Sequence, residues 1–290
     1  MGNLTDKRVL ITGVGLKPVR FVFKDITTGR PSHTAIVVDA KEFKANIGAA
    51  TALECAKAGA IVHLVARTEK NLTIVKQWIE SIVADAKVEF TATDLGDRQS
   101  LKRLVESIPR NHPLYWVQSV GLGAGTIKLK DDNPYLPIDE IPEGLVDAEL
   151  SVLKNTITLL QSLLPRFRQQ EETRVCIISS MSAVRSFASG SIHNAAKGAI
   201  SRFANAAMIE LDHEKIFVTD IRPGGVDTGM YDSEVVRKTV QRISKDFNYS
   251  DIHYIPPSAV GQAIVHALST DAHITSINMV GKGQWPHEGS

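Results

Sequence analysis

Apolar positions in this chain follow two alternating rhythms. Residues 8–12 (Arg-Val-Leu-Ile-Thr) form a short continuous apolar run rich in β-branched side chains. That is the pattern of a strand covered on both faces. Comparable runs fall at 61–65, 88–92, 114–117, 174–178, 217–221 and 274–280. Between them, apolar residues recur at helical spacing over 49–59, 71–84, 100–108, 145–167 and 193–211. Gly59 and Pro109 close the first and third of these helices, Gly as a left-handed cap and Pro as a residue that cannot continue the ladder. Seven strands interleaved with helices predict an α/β fold with a doubly wound parallel sheet.

One segment breaks the alternation. Residues 16–45 hold two strand-like runs, 19–23 (Val-Arg-Phe-Val-Phe) and 35–38 (Ala-Ile-Val-Val), around a Thr-Thr-Gly-Arg-Pro turn signal at 27–31. They predict a β-hairpin inserted between the first strand and the first helix. A length of 290 residues fits a single domain over 1–290 that carries this insertion.

Composition narrows the partners. There are 33 basic and 32 acidic residues, for a net charge of +1, so no nucleic acid is expected as a partner. No apolar run reaches the roughly 18 residues that span a bilayer, so no membrane is expected. The polar start Met-Gly-Asn-Leu-Thr-Asp-Lys-Arg does not read as a signal peptide. Cys55 and Cys176 lie in apolar segments and are expected as reduced core thiols of a cytoplasmic protein. His33, His63, His213 and His266 show no metal-ligand spacing, so no metal is expected. Trp78 and Trp116 read as core or interface residues.

Candidate chemistry gathers between 180 and 197. The stretch runs Ser180-Met-Ser-Ala-Val-Arg-Ser-Phe-Ala-Ser-Gly-Ser-Ile-His193-Asn-Ala-Ala-Lys197, with thirteen positions from Ser180 to His193 and four more to Lys197. It resembles the active-site segment of the short-chain dehydrogenases/reductases, where a Ser is followed at this spacing by Tyr-x-x-x-Lys. Histidine stands where that family has its tyrosine. The resemblance implies a Rossmann-type fold in which Ser180 holds a substrate oxygen, His193 replaces the proton-donating tyrosine, and Lys197 holds the nicotinamide ribose. The family's relay asparagine falls at Val152. Asn155, three residues later, is either a partial substitute or a small helix-contact residue.

The resemblance extends along the chain. The family's Thr-Gly-x-x-x-Gly-x-Gly loop begins here as Thr12-Gly13-Val14-Gly15 and ends as Asn46-Ile47-Gly48, with about 29 extra residues between and Asn46 in place of the middle glycine. Backbone must approach a pyrophosphate closely at such a loop, which is why glycines belong there. Asp94-Leu95 matches the adenine-side position. Gln118-Ser119-Val120-Gly121 replaces Asn-Asn-Ala-Gly and keeps only Gly121, and Pro223, Gly224, Val226 and Thr228 match the loop that meets the nicotinamide. Arg67 follows the second strand where an acidic residue would hold a ribose 2′-hydroxyl. A guanidinium there favours a 2′-phosphate, hence NADP(H) over NAD.

Three readings of the histidine stay open. It acts as the acid in ordinary carbonyl reduction of a small-molecule metabolite, or it serves a dehydration, isomerisation or cyclisation on the same scaffold. Otherwise the site is silent, and the protein binds NADP or a partner through the hairpin. A neutral imidazole beside Lys197 still offers one N–H, but its ring is shorter than a phenol. Tyr231, in the lid position after the Pro-Gly loop, is read first as lid packing and second as a replacement phenol. Residues 123–142 are expected to edge the substrate pocket. The resemblance also implies a homodimer or homotetramer built on helices 145–167 and 193–211.

Overall fold

The strand runs and helical stretches fold as one alternating series in the computed structural model, which describes residues 2–25, 27–122, 133–243 and 253–282. In chain order the strands are β1 (Arg8–Thr12), β2 (Leu16–Pro18), β3 (Ala35–Val38), β4 (Lys41–Ala45), β5 (Ile61–Ala66), β6 (Lys87–Ala92), β7 (Leu114–Gln118), β8 (Thr173–Ile178), β9 (Ile216–Pro223) and β10 (Ser276–Met279). The helices are α1 (Ile47–Lys57), α2 (Glu69–Ile82), α3 (Arg98–Ser107), α4 (Glu143–Phe167), α5 (Ser191–Leu211), α6 (Glu234–Ile243) and α7 (Pro257–Ser269). Seven strands form a parallel sheet in the order β10–β9–β8–β7–β1–β5–β6.

Both faces of this sheet are covered, which explains the unbroken apolar runs. Val9, Ile11, Val62, Leu64 and Val117 point into a cluster closed by α1, α2 and α7. Leu10, Val65, Trp116, Val175 and Ile177 point the other way, into a cluster closed by α3, α4 and α5. Trp78 belongs to the first cluster and Trp116 to the second. Cys55 and Cys176 are buried and free. Gly59 takes the left-handed conformation expected of the cap, at φ +87°. No helix among the described residues is long and apolar enough to cross a membrane.

The insertion is present, but its pairing corrects the expected hairpin. It is a three-stranded antiparallel sheet, β2–β4–β3. The true hairpin joins β3 to β4 through Asp39 and Ala40, both left-handed at φ 51° and 59°. Residues 19–23 are not a strand. They run as a loop whose Phe23 packs on Tyr254 at 4.4 Å between ring centroids and whose Phe21 lies beneath the Arg237 guanidinium. The turn at 27–31 survives inside that loop, held by a bridge between Lys24 and Pro31 and by Asp25, whose side chain accepts from the Thr27 and Thr28 amides.

Candidate active site

Strand order reverses at β1, which lies between β5 and β7. Ligands of open α/β sheets bind in the crevice outside the strand ends at such a point. A cleft of about 620 Å³ lies there. The residues predicted from the sequence as Ser180, His193 and Lys197 all line it. So do Gly13, Gly15 and Ile47 at one side, Arg67, Asp94 and Leu95 at the next, and Gly121, Pro223, Gly224, Val226 and Thr228 beyond. Gly48 alone of the predicted set lies behind the lining, where a Cβ would come 2.9 Å from the Gly13 carbonyl oxygen.

The interrupted glycine loop is rebuilt in space. Antiparallel pairing of Leu16 with Ala45 closes the base of the insertion and returns the chain beside its point of departure. Asn46 then joins the two halves. Its Nδ2 donates to the Gly13 carbonyl at 2.7 Å, and its Oδ1 accepts from the Gly15 amide at 3.0 Å and the Ala49 amide at 2.9 Å. Asn46 is the N-cap of α1, with extended backbone (φ −79°, ψ 178°) that needs no glycine. Gly13 is different. At φ +83°, a Cβ there would sit 2.5 Å from the Ser119 backbone. The amides of Ile47 and Gly48 open the helix and have no intrahelical acceptor, the usual geometry of an anion site.

The second end of the cleft holds the titratable groups. His193 lies in the first turn of α5, and its Nδ1 is 2.9 Å from Oε1 of Glu149 on α4. Glu149 also lines the cleft, with a side chain only 3% exposed. Burial alone would raise its carboxyl. The hydrogen bond and charge of His193, with the charge of Lys197, outweigh burial and hold it below the ordinary glutamate value. An ionised carboxylate can only accept, so Nδ1 of His193 carries the proton and Nε2 is the nitrogen free to work. Glu149 was missed in the sequence. The signal was an acid inside the apolar stripe of Leu145, Ala148 and Val152, since a buried charge needs a partner.

Lys197 is one helical turn beyond His193 and buried at the floor of the cleft. Burial lowers its ammonium below the usual lysine value, against the opposing pull of Glu149 and Asp220. Its Nζ donates to the Ile178 carbonyl at 3.4 Å. Ser180 caps a short 3₁₀ turn, accepting from the Ser182 amide at 3.1 Å, and its hydroxyl donates a long bond of 3.4 Å to the Pro223 carbonyl. Neighbouring Ser179 is committed elsewhere, since its hydroxyl donates to buried Asp220, which also accepts from Ser201 and Arg222. Spacing had selected Ser180, and the structure leaves Ser180 the freer hydroxyl.

Other expectations resolve as follows. Val152 is buried beneath the cleft. Asn155 lines the cleft at its Asp94 end, with its amide near Gly96, away from His193. Gln118 turns inward, its amide donating to Thr156 at 2.9 Å and to the Val120 carbonyl at 3.2 Å. The Tyr231 ring packs on Tyr254 at 4.7 Å, and the residue lines the cleft beside Tyr135. Of the segment 123–142, residues 123–132 lie outside the described residues, and Pro134 and Tyr135 edge the cleft as expected. Tyr135 stands edge-on to the His193 ring at 6.4 Å. Among the described residues no three His, Cys, Asp or Glu side chains gather as a metal site.

Comparison with known proteins agrees with this architecture. A solved structure of a short chain oxidoreductase from Pseudomonas aeruginosa, bound to NADPH and containing an atypical catalytic center, superposes over all of both chains with a TM-score of 0.72 at 15% identity. L-sorbose reductase from Gluconobacter frateurii, complexed with NADPH and L-sorbose, superposes over 97% of each chain with a TM-score of 0.69 at 19% identity. By sequence, an NADP-dependent 3-hydroxy acid dehydrogenase of Schizosaccharomyces pombe is 25% identical over 226 residues, covering 77% of this chain and 83% of the relative. The family model for short chain dehydrogenase matches residues 35–238, most of the chain and both sides of the cleft. The chain therefore belongs to the short-chain dehydrogenase family.

Proposed function

We propose that this protein is an NADP(H)-dependent oxidoreductase that reduces a carbonyl of a small-molecule metabolite, or oxidises the corresponding alcohol, with His193 as the proton donor. The observation that carries the reading is the pairing of buried Glu149 with His193, set in one cleft with Ser180 and Lys197. The remaining lining fits the cofactor. Gly13 and Gly48 let the loop close against the Ser119 and Gly13 backbone, and the start of α1 presents the Ile47 and Gly48 amides to a pyrophosphate. Arg67 would take a 2′-phosphate, and Asp94 and Leu95 the adenine. Lys197 would take the ribose, and the Pro223–Thr228 loop, with Gly121, the nicotinamide side. When bound, NADPH would supply hydride to the carbonyl carbon.

The chain's own residues supply the rest. The Ser180 hydroxyl exchanges its long bond to Pro223 for the substrate oxygen. Imidazolium His193 gives its Nε2 proton to that oxygen as negative charge develops there. Anionic Glu149 holds the Nδ1–H throughout, which fixes the ring and stabilises the cation that must precede transfer. NADP dependence of the fission-yeast relative, and NADPH in a structural neighbour with an atypical catalytic center, support the same assignment.

A carboxylate-held imidazole also suits proton transfer at carbon, so dehydration or isomerisation is the second reading. It predicts substrate turnover without consumption of NADPH. The test is NADPH binding by fluorescence, followed by NADPH oxidation with a panel of aldehydes and ketones. Carbonyl-dependent oxidation supports the reductase, and a protein that binds no NADPH and oxidises none rules it out. Exposed Leu150 on α4 and Ile209 on α5 support a homodimer or homotetramer through these helices. Sedimentation of Ile209→Lys against the unaltered protein tests that assembly.

A further inference from the structure

The insertion is fastened to one wall of the cleft by a buried lysine. Lys44, in β4, is fully enclosed, and its Nζ donates to Asp227 Oδ1 at 2.6 Å and to Asp232 Oδ1 at 2.7 Å. Both carboxylates are buried, and the insertion also holds their other oxygens. Ser32 Oγ donates to Asp227 Oδ2 at 2.7 Å, and the amides of Arg20 and Phe21 donate to Asp232 Oδ2 at 3.1 and 3.3 Å. Ionic groups so enclosed need full hydrogen bonding to be tolerated, and here each aspartate finds its donors in the insertion.

The two aspartates bracket residues 228–231, of which Thr228, Met230 and Tyr231 line the cleft. Gly229 between them is left-handed at φ +83°, and a Cβ there would stand 3.3 Å from the Lys17 side chain of β2. The attachment continues toward the titratable groups. Tyr135 donates to Met230 Sδ at 3.5 Å, and its ring stands edge-on to His193. The attachment therefore continues from Lys44 through Asp232 and nearby Met230 to the aromatic wall beside His193.

We propose that Lys44 is a positioning residue for substrate. Through Asp227 and Asp232 it fixes Met230 and Tyr231 as a preformed wall, so the insertion sets which substrates fit. The kinetic part of this inference rests on the reductase reading, and the structural part does not.

The test compares the unaltered protein with Lys44→Met and with the charge-balanced triple variant Lys44→Met, Asp227→Asn, Asp232→Asn. The triple variant removes the attachment without leaving buried carboxylates unpaired, so it answers the question even where the single variant fails to fold. Hydrogen exchange of the amides in 228–237 is expected to become about tenfold faster, with α5 unchanged. KM for the carbonyl substrate is expected to rise about tenfold, a larger factor than either kcat or the NADPH Kd moves. Unchanged exchange in 228–237, or KM and NADPH Kd rising together by the same factor, would overturn the proposal. If the unaltered protein reduces no carbonyl, the reductase reading fails while the exchange comparison still decides the role of Lys44.

Discussion

Glu149 and His193 are 44 positions apart on different helices, yet Oε1 of one lies 2.9 Å from Nδ1 of the other. The first turn of α5 thus holds a histidine with a buried carboxylate beside it. The carboxylate fixes which ring nitrogen carries a proton at rest, and it leaves the other nitrogen unengaged by it on a ring that lines the cleft.

Glu149→Gln keeps an acceptor for Nδ1 but removes the charge that stabilises the imidazolium. Carbonyl reduction is expected to fall about tenfold to a hundredfold in kcat, with the NADPH Kd little changed. Stability carries a second signature. The folded carboxyl sits below its ordinary value, so its contribution is present above the unfolded pKa and is lost as pH falls through the folded one. Denaturant melts across acid pH should lose that component in the variant.

His193→Tyr sets a phenol against an anionic carboxylate, which opposes the phenolate that an oxidation cycle needs. The single variant is expected to be weaker than His193→Tyr combined with Glu149→Ala. A double-mutant cycle in kcat measures the coupling, and additive effects would count against a matched pair.

His63 gives the clearest pH prediction. Burial lowers its pKa to about 4 from 6.5, with Arg8 and Arg166 acting the same way and Glu89 failing to offset them. Below pH 6.5 the unfolded chain takes up a proton that the folded one refuses, so stability falls as pH drops from 6.5 toward 4. The loss is about 3 kcal/mol across that window. His63→Gln retains a group for the Thr91 hydroxyl, 2.8 Å away, without titrating. Its stability between pH 8 and pH 5 should fall less than that of the unaltered protein.

Arg67 is expected to set cofactor choice. Arg67→Asp removes the charge-assisted bonds available to a 2′-phosphate and adds a repelling carboxylate. NADPH affinity should weaken about tenfold to a hundredfold while NADH affinity holds or improves. Equal losses for both cofactors would remove Arg67 from that role.

The central sheet was legible because each strand is buried on both faces, as Val9, Leu10 and Ile11 show in alternating contact with the two helix layers. The insertion was legible only as an interruption. Its hairpin turns on Asp39-Ala40, where Asp-Gly or Asn-Gly would have signalled two left-handed residues. Strand β4 reads Lys-Glu-Phe-Lys-Ala, and its Lys44 is buried against partners 183 and 188 positions away. The apolar run at 19–23 mimicked a strand because Phe21 and Phe23 pack on distant Arg237 and Tyr254. Asn46 looked like a damaged glycine motif, although asparagine is among the best N-caps, and its carboxamide joins the two halves of the loop. Glu149 escaped because its partner is on another helix.

The rate of NADPH oxidation with a carbonyl substrate, measured in parallel for the unaltered protein and His193→Ala, tests the role of His193 most directly. The unaltered protein should reduce the carbonyl, and the variant should lose roughly 10²- to 10⁴-fold in kcat while binding NADPH with little change. Undiminished turnover in the variant would contradict the account.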